Sequence, residues 1–204
     1  MIPWEFLDQQ SIVHLSPMKP AKSVKIVGRI KGQSPNTKIT MSTWLGYMKS
    51  KRERRLLRKL ASQIDFFMLN ELEAKTLGET NDLTLAIERM SAHRLIVTMG
   101  RLGAIVEGDD FEAQMIPALS VPTGRVVDTT GAGDTWNGAF LASYGSTHDL
   151  SKSVTVASII SSIKCSGWGF KAIEQLSFRK SSDVIQYVLA LRDGSLQKRI
   201  TDFR

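Results

Sequence analysis

The sequence predicts an α/β fold with a mostly parallel sheet and helices on both faces. Three observations carry that expectation. Short apolar or β-branched runs alternate along the chain with longer segments of helical period. The first forty or so residues read as one strand, helix, strand crossover, the building block of parallel sheets. The composition is that of an ordinary globular domain, with 42% apolar and 23% charged residues in 204, so a real core is expected. At this length a single α/β domain over residues 1–204 is expected.

The elements follow in order. Ser11 to Leu15 (SIVHL) is a short β-branched strand. Ala21 to Lys31 places Val24, Val27 and Ile30 at helical spacing and stops at Gly32, with Pro35 beyond. Thr37 to Thr43 alternates as a second strand. Lys49 to Ile64 carries Leu56, Leu57, Leu60 and Ile64 on one helical stripe. Ile64 to Leu69 (IDFFML) is an apolar run of the kind buried on both faces of a sheet. Asn70 to Leu77 and Leu83 to Met90 read as helices, and Leu95 to Met99 (LIVTM) as a further buried strand. Gly100 and Gly103 frame a turn. Ala104 to Glu107 and Phe111 to Ile116 are short strands joined by a hairpin turn at Gly108, Asp109 and Asp110. Val126 and Val127 lead into a glycine-rich corner at Asp128 to Asp134, from which a helix runs to about Gly145. Helices near Leu150 to Lys164 and Ser181 to Leu191 complete the chain.

The formal net charge of +7 is the unusual figure, and it suggests an anionic partner: nucleic acid, an acidic membrane surface or a phosphorylated small molecule. Much of it lies at Lys51, Arg52, Arg54, Arg55, Arg58 and Lys59. That helix reads either as a nucleic-acid or membrane-surface helix or as the solvated outer face of a helix covering a sheet. The absence of interleaved aromatics favours the second. The single cysteine, Cys165, leaves no internal disulfide, and together with only three histidines it points to a reducing compartment. No stretch approaches the ~20 apolar residues of a membrane span, and Met1 to Gln10 lacks a basic region followed by an apolar run. A cytoplasmic protein is expected.

The most informative segment is Val127 to Phe140, VDTTGAGDTWNGAF. Gly131, Ala132 and Gly133 sit where a strand turns into a helix, so their backbone N–H groups point together at a helix N-terminus and make an anion site. Asp134 follows directly. A carboxylate beside an anion cradle is costly for binding alone, and it makes sense if it takes a proton from a hydroxyl attacking phosphorus. The alternative is an ordinary glycine-rich turn in which Asp134 caps the helix.

This segment resembles, residue for residue, the C-terminal signature of the ribokinase-like (PfkB) carbohydrate kinases, with the core DTTGAGD intact. The resemblance implies a ribokinase-like three-layer α/β/α fold. It also implies that Asp134 is the catalytic base, that Gly131, Ala132 and Gly133 form the anion hole, and that Asp128 helps to build a monovalent-cation (K+) site. Asn70 to Glu73 (NELE) is similar to the family's N-x-x-E motif, where the pair orders Mg2+ and phosphates, Glu73 acting largely through water. The same spacing is that of a helix capping box, and both readings can hold at once. Val97 to Gly103 (VTMGRLG) resembles the family's nucleotide-binding segment, with Thr98, Gly100 and Gly103 as ATP contacts; a tight turn is the alternative. Ser158 and the loop Cys165 to Gly169 align with the family's adenine side. Cys165 is expected to be a buried apolar filler, and Trp136 and Trp168 to be packing residues.

The resemblance implies an ATP-dependent transfer of the γ-phosphoryl group to a hydroxyl of a sugar, polyol or nucleoside. It covers only the C-terminal part of the family's pattern: the N-terminal strands, the glycine-rich sugar-binding motif and the β-sheet lid have no counterpart. The chain is therefore expected to be part of a longer kinase. A natural nucleotide-binding fragment without efficient catalysis, or a half completed by another chain, are the other readings. The sheet edge left without neighbours is expected to invite association, as in a homodimer. Neither G-x-x-x-x-G-K-[ST] nor G-x-G-x-x-G occurs, so neither a P-loop nor a dinucleotide-binding reading is supported. His14, His93 and His148 lack metal-ligand spacing, and nucleic-acid binding is the least favoured class.

Overall fold

The computed structural model describes residues 4, 7, 12–118 and 126–192. By their contacts these fall into two compact units, one drawn from residues 1–100 and 104–115 and the other from 101–103 and 116–204.

The first unit is built on a six-stranded sheet whose spatial order is its sequence order. The strands are β1 (Ile12–Leu15), β2 (Lys38–Ser42), β3 (Phe66–Asn70), β4 (Arg94–Thr98), β5 (Ala104–Gly108) and β6 (Phe111–Ile116). Ser11, the first residue of the first expected strand, lies outside the described residues. β1 to β4 run parallel, in register through Met41 opposite Phe67 and Phe67 opposite Leu95. Each parallel step is spanned by helix: α1 (Pro20–Gln33), α2 (Lys51–Ala61), then α3 (Glu71–Gly78) with α4 (Leu83–Glu88). Between β4 and β5 the chain has only a short 3-10 turn at Gly100–Leu102, and β5 pairs antiparallel to β4. The mostly parallel α/β architecture is thus the observed one.

Period-2 geometry sorts the strand residues onto two faces. Ile39, Met41, Phe67, Leu69, Leu95 and Val97 meet Ile26, Val27 and Ile30 of α1, Leu57 and Leu60 of α2, and Ala74 and Leu77 of α3 in one apolar cluster. On the opposite face Phe66, Met68 and Ile96 are also buried, as the continuous run IDFFML requires.

The basic helix is shorter than its apolar stripe suggests. Ser50 and Glu53 close a reciprocal capping box that starts α2 at Lys51, and the helix stops at Ala61, leaving Ile64 buried beyond it. Two of its arginines are engaged within the unit. Arg54 donates to the Met48 carbonyl at 2.7 Å and pairs with Glu79 at 2.7 Å, while Arg58 donates to the Leu77 carbonyl. Glu79 ends α3 in the left-handed region at φ 54°, a conformation that side chains disfavour, and the two guanidiniums hold it there. The helix therefore combines a solvated face with arginines that dock the end of α3.

The second unit contains α5 (Ala132–Thr147), α6 (Leu150–Cys165), α7 (Lys171–Glu174) and α8 (Ser181–Arg192). α7 has only four residues and no periodic signature. On α5, Trp136, Phe140 and Tyr144 recur every fourth residue and stack with successive centroids 5.6 Å apart. Trp136 is a packing residue as expected. Trp168 is not: it is 69% exposed, because it stands in the loop after α6 that turns at Gly169 in the left-handed region. Cys165 is half-buried, and burial raises its thiol pKa. Val156, Ile159 and Ile163 of α6 form the core against Val184 of α8. No helix among the described residues is long and apolar enough to cross a membrane.

Phe67 is fully buried within the sheet's apolar cluster. Phe67→Ala is expected to cost about 3–5 kcal/mol, read in urea unfolding as a lower midpoint at unchanged slope.

Candidate functional site

In parallel sheets, ligands gather at the carboxyl ends of the strands, and β3 and β4 end side by side with Asn70 opposite Thr98. A pocket of about 300 Å³ opens there, bordered by Asn70, Thr98 and Gly100 together with Glu71, Leu72, Lys75 and Met99. The Thr98 hydroxyl donates to the Leu69 carbonyl at 3.3 Å. Gly100 adopts φ 56°, and open space surrounds the position a Cβ would take. Asn70 and Glu73 form a complete capping box. Asn70 Oδ1 accepts from Glu73 N and Glu73 Oε2 accepts from Asn70 N, both at 2.9 Å. Burial pushes the Glu73 carboxyl up to about 7 despite these two bonds. Lys75, salt-bridged to Glu71 at 2.6 Å, is a cationic member of the pocket wall that the motif reading passed over. Its spacing from Glu71 was the available signal.

Gly103 belongs to the second unit and has a different task. At φ 112° a side chain there would collide with the Ile116 carbonyl and the backbone of Pro117 and Ala118. The close approach it permits is to the chain's own backbone.

The corner at 128–134 is tighter than a loose glycine loop. Gly131 takes the left-handed conformation at φ 74° as the N-cap of α5, so Ala132, Gly133 and Asp134 are already its first turn. The Ala132 N–H turns back to the Thr129 carbonyl at 3.1 Å. Among the described residues, no hydrogen bond is made by the N–H of Gly131 or Gly133. Asp134 is exposed in that first turn, and its carboxylate makes no capping bond among the described residues. The helix-capping reading of Asp134 therefore does not hold.

What holds this corner is the carboxyl end of α6. Lys164, completely buried, donates from Nζ to the Asp128 carbonyl at 2.9 Å and to Asp128 Oδ2 at 3.1 Å. Asp128 also accepts from the N–H of Thr130 at 2.9 Å and of Gly169 at 3.1 Å. The Thr130 bonds, then Lys164 and Gly169, hold its carboxyl well below the usual carboxylate range. Val127 N donates to the Cys165 carbonyl at 2.8 Å, and Ser161 Oγ to the Ala132 carbonyl at 2.9 Å. Lys164 went unnoticed in the sequence. Its signal was a lysine following the apolar series Val156, Ala157, Ile159 and Ile163 on one helix. Ser158 is also buried, but its hydroxyl accepts from the Trp136 indole at 3.2 Å; it serves the packing of α5 on α6.

Within the first unit, then, Asn70, Glu73, Thr98 and Gly100 come together. Within the second, Asp128, Gly131, Ala132, Gly133 and Asp134 do, with Lys164 beneath them. No cluster of three or more His, Cys, Asp or Glu side chains suited to a metal ion occurs among the described residues.

Comparison with known proteins gives a consistent picture. Residues 2–172 match the family model described as pfkB family carbohydrate kinase. The chain is 31% identical over 156 residues to a cytidine kinase of Thermococcus kodakarensis, covering 75% of this chain and 54% of that protein. It is 38% identical over 106 residues to a ribokinase of Lactococcus lactis, covering 52% of this chain and 34% of that protein. The chain thus spans about half or less of the curated relatives it matches. Among solved structures it shares its fold with an adenosine kinase of Sinorhizobium meliloti, at a TM-score of 0.73 and 21% identity over 91% of this chain and 57% of that one.

The raised Glu73 pKa has a consequence for stability. A carboxyl whose folded-state pKa lies above its ordinary 4.5 favours the fold less as it ionises, so its contribution falls as pH rises from 4.5 through about 7. In metal-free buffer, Glu73→Gln is expected to remove this share of the slope in melting temperature between pH 5 and 8. An unchanged slope would assign it to other groups.

Proposed function

The chain belongs to the pfkB family of carbohydrate kinases, and on that premise we propose that the protein transfers the γ-phosphoryl group of ATP to a hydroxyl of a pentose or nucleoside. The acceptor class is supported by the relatives, which include a cytidine kinase, a ribokinase and deoxyribokinases.

One observation carries the reading: an exposed carboxylate, Asp134, stands in the first turn of α5 beside N–H groups of Gly131 and Gly133 that have no partner among the described residues. A helix N-terminus attracts a phosphoryl group. A carboxylate in the same turn repels that group in the ground state, and gains a purpose only by accepting the proton that an attacking hydroxyl gives up. In this reading Asp134 is the general base. Gly131 and Gly133 N–H stabilise charge on the transferring group, and Ala132 shapes the turn through its bond to Thr129. Such catalysis is chiefly positioning and electrostatic.

Asn70, Thr98 and Gly100 are proposed to border the nucleotide phosphates. The donors there are oxygens, which suit a hard ion such as Mg2+ that keeps most of its water. Asn70 and Glu73 would hold the hydrated ion, whose chemistry is to neutralise phosphate charge. Glu73 stays committed to its cap while doing so.

Asp134→Asn keeps size and removes basicity. Turnover with ATP against pentoses and nucleosides should fall by about 100-fold or more, while ATP affinity measured by calorimetry changes by no more than about threefold. Turnover within a few-fold of the unsubstituted protein would dismiss Asp134 as the base, and ATP binding without turnover on any acceptor would favour a nucleotide-binding module.

A further inference from the structure

Asp128 is the residue for which the family resemblance implies a free monovalent cation, and its surroundings do not fit one. Both of its oxygens are already engaged: Oδ1 accepts from Thr130 N–H, and Oδ2 from Gly169 N–H and from the Lys164 ammonium. The same ammonium takes the Asp128 carbonyl at 2.9 Å, and carbonyl and carboxylate oxygens are the donors an alkali-metal ion would use. A second unit charge among those oxygens would lie close to the first in a poorly solvated place, where like charges exclude each other. Lys164 has no solvent exposure, and a buried charge persists only where it is paired. It sits in the last turn of α6, where the carboxyl-end dipole also favours a cation.

We propose that Lys164 is a tethered monovalent cation, a positioning residue whose ammonium fixes Asp128 and through it the turn leading to Gly131, so that the protein needs no free K+. Asp128 N–H and Val127 N–H donate to the Cys165 carbonyl, one residue beyond Lys164. The lysine thereby locks the corner to the end of the helix that already carries it. A covalently attached cation cannot dissociate, so the arrangement of the corner is independent of ionic composition. The part of the proposal that concerns phosphoryl transfer rests on the function proposed above; the occupancy of the Asp128 oxygens does not.

The test compares the unsubstituted chain, Lys164→Ala and Lys164→Met by thermal melting as tetramethylammonium chloride is replaced by KCl or RbCl at constant ionic strength. The unsubstituted chain should melt at the same temperature throughout. Lys164→Ala, which opens room beside Asp128, should melt lower in tetramethylammonium and recover saturably with K+ or Rb+, whereas Lys164→Met, which fills that room with an apolar chain, should not recover. Ion-specific rescue is a response that loss of packing alone does not produce. Crystals soaked in RbCl should show no anomalous peak at Asp128 in the unsubstituted chain. Saturable K+ stabilisation of the unsubstituted chain, a rubidium ion on its Asp128, or a Lys164→Ala chain that melts unchanged or ignores K+ would each overturn the proposal. If Lys164→Ala does not fold, the two measurements on the unsubstituted chain decide. None of these readouts uses ATP turnover, so a failure of the kinase reading and a failure of this one remain distinct.

Discussion

The ion pair between buried Lys164 and half-buried Asp128 is the constraint on which the second unit's candidate site depends. The segment Asp128 to Gly131 is short and rich in small residues, and its own hydrogen bonds, Thr130 N–H to Asp128 and Ala132 N–H to the Thr129 carbonyl, are local. Local bonds do not fix where such a turn lies. The ammonium and the carbonyl end of α6 do, by reaching 36 residues back along the chain to Asp128. Ser161 adds a further tie at the first residue of α5. Buried ion pairs are poor general stabilisers because desolvation offsets much of their attraction. The value of this pair is geometric, and removing Asp128 would leave the buried Lys164 ammonium without its carboxylate.

The first unit positions its residues by a different means. Parallel pairing brings the carboxyl ends of β3 and β4 together, and the register that sets Asn70 opposite Thr98 also sets Phe67 opposite Leu95 in the core. A slip of one residue would turn Phe67 and Leu69 to the other face, so hydrophobic burial and the placing of Asn70 are one constraint. The capping box then holds Glu73 against Asn70 N–H. A helix start, a buried carboxyl and a candidate phosphate-side residue are thus the same four residues, and the structural and functional readings of NELE do not compete.

Composition gives the amount of charge but not where it sits. The +7 balance suggested an anionic partner, whether nucleic acid, an acidic membrane surface or a phosphorylated small molecule; Arg54 and Arg58 hold Glu79 and the end of α3, and Lys164 is buried beside the glycine corner. These cations have carboxylate or carbonyl partners inside the protein. Net charge gives their sum with the acids but not their location.

The order and type of nearly all elements were legible in the sequence, because apolar periodicity and turn residues act over a few positions. The DTTGAGD corner was legible for the same reason, since it consists of consecutive residues at a helix start. Element ends were less so: α2 begins at its capping box and stops at Ala61, because hydrogen bonding of helix ends, not the apolar stripe, sets its length. What only the tertiary structure decided were partnerships between distant residues. Ser158 accepts from Trp136, Trp168 is exposed, Gly103 makes room for residues 116–118, and Lys164 pairs with Asp128. A side chain's partner depends on which distant segment packs against it. That is decided by burial of the whole core, which no short window of sequence contains.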